Sequence, residues 1–109
     1  MKNPFQAMIE SQISGMQENV GRALSELQAM EFEGSAGGGA VIARVDGGGE
    51  LLEVKITPTV MKSDDVELLE DLVCAAVREA FGKASEAKKQ KLLNATGLGA
   101  LGVQLPDIF

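Results

Sequence analysis

Apolar residues recur along the first thirty positions at alternating steps of four and three: Ile9, Ile13, Met16, Val20, Ala23, Leu27 and Met30, with Leu24 beside them. That spacing is a heptad seam on one face of a helix. Asn3 suits the N-cap and Pro4 the first helical position. Gly15 and Gly21 each cost up to about 1 kcal/mol relative to Ala, but the seam runs through both. The helix is placed over 4–32. From Pro4 to Met30 it is roughly 40 Å long at 1.5 Å per residue. A compact domain of this size has a radius of gyration of only about 13 Å. Part of the helix should therefore project, or pair with a second chain through Ile9, Ile13, Met16, Val20 and Leu27.

The period then changes from helical to alternating. Glu31-Phe32-Glu33 reads as a short edge strand. Ala40–Val45 puts Val41, Ala43 and Val45 on one face, and Leu51–Ile56 puts Leu52, Val54 and Ile56 on one face. The triplets Gly37–Gly39 and Gly47–Gly49 separate these runs. Glycine supplies the positive φ that tight hairpins demand, so residues 31–57 read as a three-stranded antiparallel meander. A phosphate-binding loop would need Lys and Ser or Thr after the glycines and a helix beyond them. Here a strand follows each triplet, which leaves the turn reading.

A second helix is expected over 63–94. Ser63 or Asp64 would cap it, with Glu67 completing a capping box. Val66, Leu69, Val73, Ala76, Ala80 and Phe81 form its apolar stripe. Cys74, between Val73 and Ala75, is expected to be a buried, inert thiol. The remaining residues, 95–109, form a Gly-rich apolar tail. The predicted class is α+β: a long N-terminal helix, a β-meander and a C-terminal helix in one domain spanning 1–109.

Composition narrows the chemistry. The chain has no His, Trp or Tyr. The side chain most used for proton transfer near neutral pH is thus missing. No nucleophile–base pair or cofactor loop is readable, so neither an enzyme nor a cofactor is expected. One cysteine permits no internal disulfide. The acids Asp64, Asp65, Glu67, Glu70 and Asp71 have a sufficient cause in the dipole of the helix they open, so no metal site is expected. The start, MKNPFQAMIE, has no apolar run typical of a signal, and no segment is apolar enough to span a bilayer. The expected location is the cytoplasm.

The net charge of −6 disfavours nucleic acid at first sight. It is uneven, however. Lys83, Lys88, Lys89 and Lys91 gather near the end of the second helix, after a strongly acidic start. A solvated helix end explains them; a phosphate-contacting patch is the alternative.

The stretches GSAGGGAVIARVDGGGELLEVKITP and DDVELLEDLVCAAVREAFGKA, and an ending with Gly, Leu and a late Pro, resemble the YbaB/EbfC family of bacterial nucleoid-associated proteins. The resemblance covers nearly the whole chain. It implies an α/β homodimer with a three-stranded sheet in each subunit and projecting helices. It also implies a place in the nucleoid and non-enzymatic binding of duplex DNA with low sequence specificity, mainly through phosphates. The residues then expected at DNA are Lys83, Lys88, Lys89 and Lys91, with Arg22 and Lys2 as weaker candidates. One departure stands out. Family members usually carry several lysines in the first helix, whereas residues 4–30 hold only Arg22 against Glu10, Glu18 and Glu26. A protein-interaction module, docking through its acidic helix and apolar tail, is the competing reading.

Overall fold

The computed structural model describes residues 3–62 and 64–97. Helix α1 spans Pro4–Gln28, strands β1, β2 and β3 span Glu31–Ala36, Val41–Asp46 and Leu51–Ile56, a single turn α2 spans Pro58–Met61, and α3 spans Val66–Thr96. The three strands form one antiparallel sheet in the order β1-β2-β3. The expected α+β class and meander are therefore present.

Asn3 caps α1, its side-chain oxygen accepting from the Gln6 amide at 2.7 Å. The helix stops at Gln28, short of the expected residue 32, because the Ala29 and Met30 amides turn back onto the Glu26 and Leu27 carbonyls. Strand β1 then starts at Glu31 and runs to Ala36, longer than its alternation implied.

One sheet face carries Val41, Ala43 and Val45 of β2 with Phe32, Gly34 and Ala36 of β1 opposite them. Helix α3 lies across this face. Its contact stripe is Ala76, Ala80 and Ala84, fully or nearly fully buried against Val41, Ala43 and Val45. Leu69, Val73 and Phe81 are only half-buried beside them, and Val66 is 65 % exposed. Ala76 and Ala80 of the expected stripe are thus core, with Leu69, Val73 and Phe81 packed against it, while Val66 drops out and Ala84 joins; the smallest residues sit at the centre because they let helix and sheet backbones approach closely. The cap of α3 is Asp65, whose Oδ1 accepts from the Leu68 amide at 2.9 Å. Of the two residues expected there, Asp64 lies one position outside, and Ser63 falls outside the described residues. The helix ends at Thr96, with Gly97 in the left-handed region at φ 74°.

Strand β3 departs from its simple alternation. Arg44 pairs with Glu53 but Val45 pairs with Leu51, so Leu52 is an extra residue in a bulge. Val54 and Ile56 keep the helix-facing side, while Leu51 and Leu52 stay exposed.

The Cα radius of gyration is 19.9 Å, far above the compact value of about 13 Å. Ala23 and Leu27 at the C-terminal end of α1 are buried, whereas Phe5, Met8, Ile9, Ile13 and Met16 are exposed. The heptad seam is thus used within the chain at one end and left open at the other.

Candidate nucleic-acid interface

Glycine loops can hold phosphate, and the chain has two glycine triplets, Gly37–Gly39 and Gly47–Gly49. In the β2–β3 turn the Gly47 amide donates to the Met30 carbonyl, and the Gly49 amide to the Asp46 carbonyl. The Gly48 and Glu50 amides both donate to Asp46 Oδ1 at 2.9 Å. Every turn amide is engaged, so none is left to bind an anion. Only Gly49 of this triplet has positive φ, at 93°, whereas Gly37, Gly38 and Gly39 all do. Gly47 is required for another reason: a Cβ there would collide with the Leu27 carbonyl at the end of α1. Both triplets are turns, as expected.

The lysines do not form one stripe. At about 100° per residue, Lys83, Lys91, Lys88 and Lys89 spread over roughly 240° of the α3 circumference. Lys83 reaches back to β1, its Nζ donating to the Glu33 carbonyl at 2.7 Å and lying 3.3 Å from Glu79. Lys88 lines a pocket with Gly47–Gly49, Phe81, Ala84 and Ser85. Lys89 is half-buried on another side of the helix. Lys2 lies outside the described residues.

Lys91 is the residue that helix packing puts in a new setting. Its Nζ lies 2.6 Å from Glu26 of α1, tying the two long helices together. The hydrogen bond and charge of Lys91 hold the Glu26 carboxyl below its ordinary value. Asn19, Arg22, Ala23 and Glu26 of α1 then line one cleft with Lys91, Asn94 and Ala95 of α3. Arg22 and Lys91 are 69 positions apart in the sequence, and periodicity gave no hint that they meet. With two cations and two amide side chains around a single carboxylate, the cleft can take an anionic group.

Arg44 is the other cation whose position sequence reading missed. It lies on the sheet face away from α3 and is held between Glu31 at 2.7 Å and Glu53 at 2.8 Å. Lys55 approaches Glu53 at 3.6 Å. The two glutamates raise the Arg44 pKa, and the Arg44 hydrogen bond lowers that of Glu53. Cross-strand register was the available signal, since Glu33↔Arg44 and Arg44↔Glu53 are paired positions.

Cys74 corrects an expectation: its side chain is exposed. Flanking apolar residues were a poor guide because neighbours in a helix point about 100° apart. Ala76 faces the sheet, and Cys74 is turned some 160° away from it. Among the described residues there is no group of three or more His, Cys, Asp or Glu side chains suited to a metal ion. Nor is any helix among them long and apolar enough to cross a membrane.

Residues 1–99 match the model of the YbaB/EbfC DNA-binding family. The chain belongs to that family. A nucleoid-associated protein of Clostridium perfringens is 51 % identical over 84 residues, covering 77 % of this chain and 71 % of its own length. One from Dictyoglomus thermophilum is 42 % identical over 106 residues, covering 97 % of this chain and 96 % of its own. The crystal structure of an uncharacterized protein from Helicobacter pylori superposes with a TM-score of 0.72 at 19 % identity, over 86 % of this chain and 97 % of that one. That likeness concerns the fold. Between Pro4 and Gln28 the α1 of this chain carries one cation, Arg22.

Proposed function

We propose that this protein binds duplex DNA as a homodimer in the bacterial cytoplasm, at the nucleoid, with low sequence specificity and mainly through phosphates. The observation that carries the reading is the match of residues 1–99 to a DNA-binding family. The cleft between α1 and α3 supports it, because there Arg22 and Lys91 converge with Asn19 and Asn94. Lys88 and Lys89 add positive charge along the same end of α3, and Lys2 near the start of the chain. Lys83, engaged with β1, contributes less. Phosphates carry no sequence information, and no arginine-rich or aromatic base-reading element accompanies these cations. The protein performs no catalysis in this reading.

Each phosphate neutralised contributes about −0.9 to the slope of log K against log salt, so a dimer with roughly four contacts should show a slope near −3.6. Fluorescence anisotropy of a labelled duplex, titrated from low to physiological salt, measures this. Changing Arg22, Lys88 and Lys91 together to Gln should flatten the slope and weaken binding on every sequence alike. No binding at low salt by the intact protein would refute the reading. Binding unaffected by the triple change would move the interface elsewhere.

A further inference from the structure

The heptad seam of α1 is covered only toward its C-terminal end, where α3 lies on it. Helix α1 runs into the sheet and α3 runs out of it, so the two are antiparallel where Glu26 meets Lys91. The cleft they share extends to Asn19 on α1 and Ala95 on α3. Helix α3 then stops at Thr96, one residue further on, with Gly97 in the left-handed region. Beyond that point Phe5, Ile9, Ile13 and Met16 are 63 %, 40 %, 53 % and 43 % exposed. This open part of α1, from Asn19 back to Phe5, is about 21 Å long at 1.5 Å per residue. It contains Gly15, and helices draw most of their stability from packing an amphipathic face, not from propensity. The open seam therefore calls for an apolar cover.

We propose that residues 98–109 of the same chain pack along this open seam, passing Met16 and Ile13 toward Phe5. These residues lie outside the described ones, but three observations select them. The first is position: the chain leaves α3 at Gly97, next to the place where the cover of α1 ends, and α3 is already heading toward the start of α1. Left-handed Gly97 ends the helix without a steric cost and frees the chain to bend onto its neighbour. The second is length. Twelve residues span about 18 Å as a helix and about 40 Å fully extended, which brackets the 21 Å of open seam. The third is chemistry. Leu98, Leu101, Val103, Leu105, Ile108 and Phe109 supply apolar side chains, and Asp107 is the one charge among these twelve residues. The seam is likewise uncharged, because Glu10 and Glu18 stand about 100° and 180° round the helix from Ile9. The face that periodicity offered to a second chain is then closed within one chain.

Thiol labelling and disulfide trapping of the full chain test this, with Cys74→Ser as the background. Ile13→Cys puts a thiol on the seam, and Ser11→Cys puts one at nearly the same height, about 160° round the helix. Both side chains are exposed, so the fold should persist, and circular dichroism checks it. The thiol at position 13 should react with a maleimide about tenfold more slowly than the one at position 11, because the tail must lift before it can be reached. Leu101→Glu together with Leu105→Glu should abolish that difference. For trapping, Leu98, Leu101 and Leu105 are changed to Cys one at a time, each beside Ile13→Cys or Ser11→Cys. Oxidation should join the tail to position 13 in preference to position 11, and the product should run as a monomer on a denaturing gel. A tail merely tethered at Gly97 would reach both faces alike. Equal labelling rates, equal disulfide yields, or protection that survives the two glutamates each overturn the proposal. Covalent dimers in place of monomers place the occupant on another chain and overturn it too. Neither readout depends on DNA binding, which the anisotropy measurement decides separately.

Discussion

Replacing Gly34 with Ala tests the contact that holds the core together. Gly34 lies in β1 opposite Ala43, on the face beneath α3. A Cβ added there would collide with the Ala76 carbonyl oxygen and the Ala80 amide nitrogen, with Glu79 Cβ at 3.0 Å. Two of these atoms are helix backbone, so no side-chain rotation can relieve the clash. Regaining an ordinary separation of roughly 3.5 Å requires α3 to lift by on the order of 1 Å. That lift would loosen Ala76 and Ala80, both 0 % exposed, from Val41, Ala43 and Val45. Overpacking of this kind costs typically 1–3 kcal/mol, and with backbone on the far side the upper end, about 3 kcal/mol, applies. In a domain this small each kcal/mol moves the melting temperature by roughly 4–8 °C, so the variant should melt about 12–24 °C lower. Gly82→Ala on the same helix is the control. Nothing lies within 4 Å of its added Cβ, and a helical Gly→Ala change should stabilise by about 0.5–1 kcal/mol. Thermal melts followed by circular dichroism at one fixed protein concentration give both shifts. Gly34→Ala melting within about 2 °C of the wild type would refute the close-approach argument.

Acid should loosen the link between α1 and α3. The Glu26 carboxyl titrates below its ordinary 4.5 because of Lys91, so the folded state binds fewer protons than the unfolded one. Its contribution is complete above about pH 4.5 and lost as pH falls through the lower folded value. Urea midpoints measured from pH 7 to 3 should fall less steeply for Lys91→Gln than for the wild type; parallel curves would discount the pair. Glu53, lowered by Arg44, behaves in the same sense, so Arg44→Gln should also flatten the acid limb. Asp46→Ala removes the acceptor for the Gly48 and Glu50 amides and should cost about 1 kcal/mol in a urea titration, with no change in DNA affinity. Arg22→Glu should weaken duplex binding at low salt while leaving the melting temperature unchanged; a matched loss of both would mean Arg22 is structural.

The elements themselves were legible because their signals are local. A period of 3.5 over Ile9–Leu27, alternation over Val41–Ile56 and two glycine triplets each reflect constraints within a few residues of chain. The Asn3 cap and Pro4 start were readable for the same reason. Errors arose where a neighbour distant in sequence decides. Of the expected α3 stripe, Ala76 and Ala80 are core and Leu69, Val73 and Phe81 pack against it, but Val66 is exposed and Ala84 takes a core place, because the line along which α3 meets the sheet is set by the backbone approach that Gly34 on β1 admits. Cys74 is exposed for the complementary reason. The bulge at Leu52 shifts the end of β3 in a way that alternation alone does not encode.

Residue type and spacing by themselves determined the order of helix, meander and helix, the turn role of both glycine triplets and the resemblance to a DNA-binding family. These follow from backbone sterics and periodicity, which act along the chain. Tertiary structure alone decided which cations meet. It brought Arg22 and Lys91 into one cleft across 69 positions, joined Lys91 to Glu26, tied Lys83 to β1 and enclosed Arg44 between two glutamates. It also decided which glycines are irreplaceable: Gly34 and Gly47 are needed for the backbones of α3 and α1 that press against them. Charge and close contact depend on distance in space, and distance in space is set by packing.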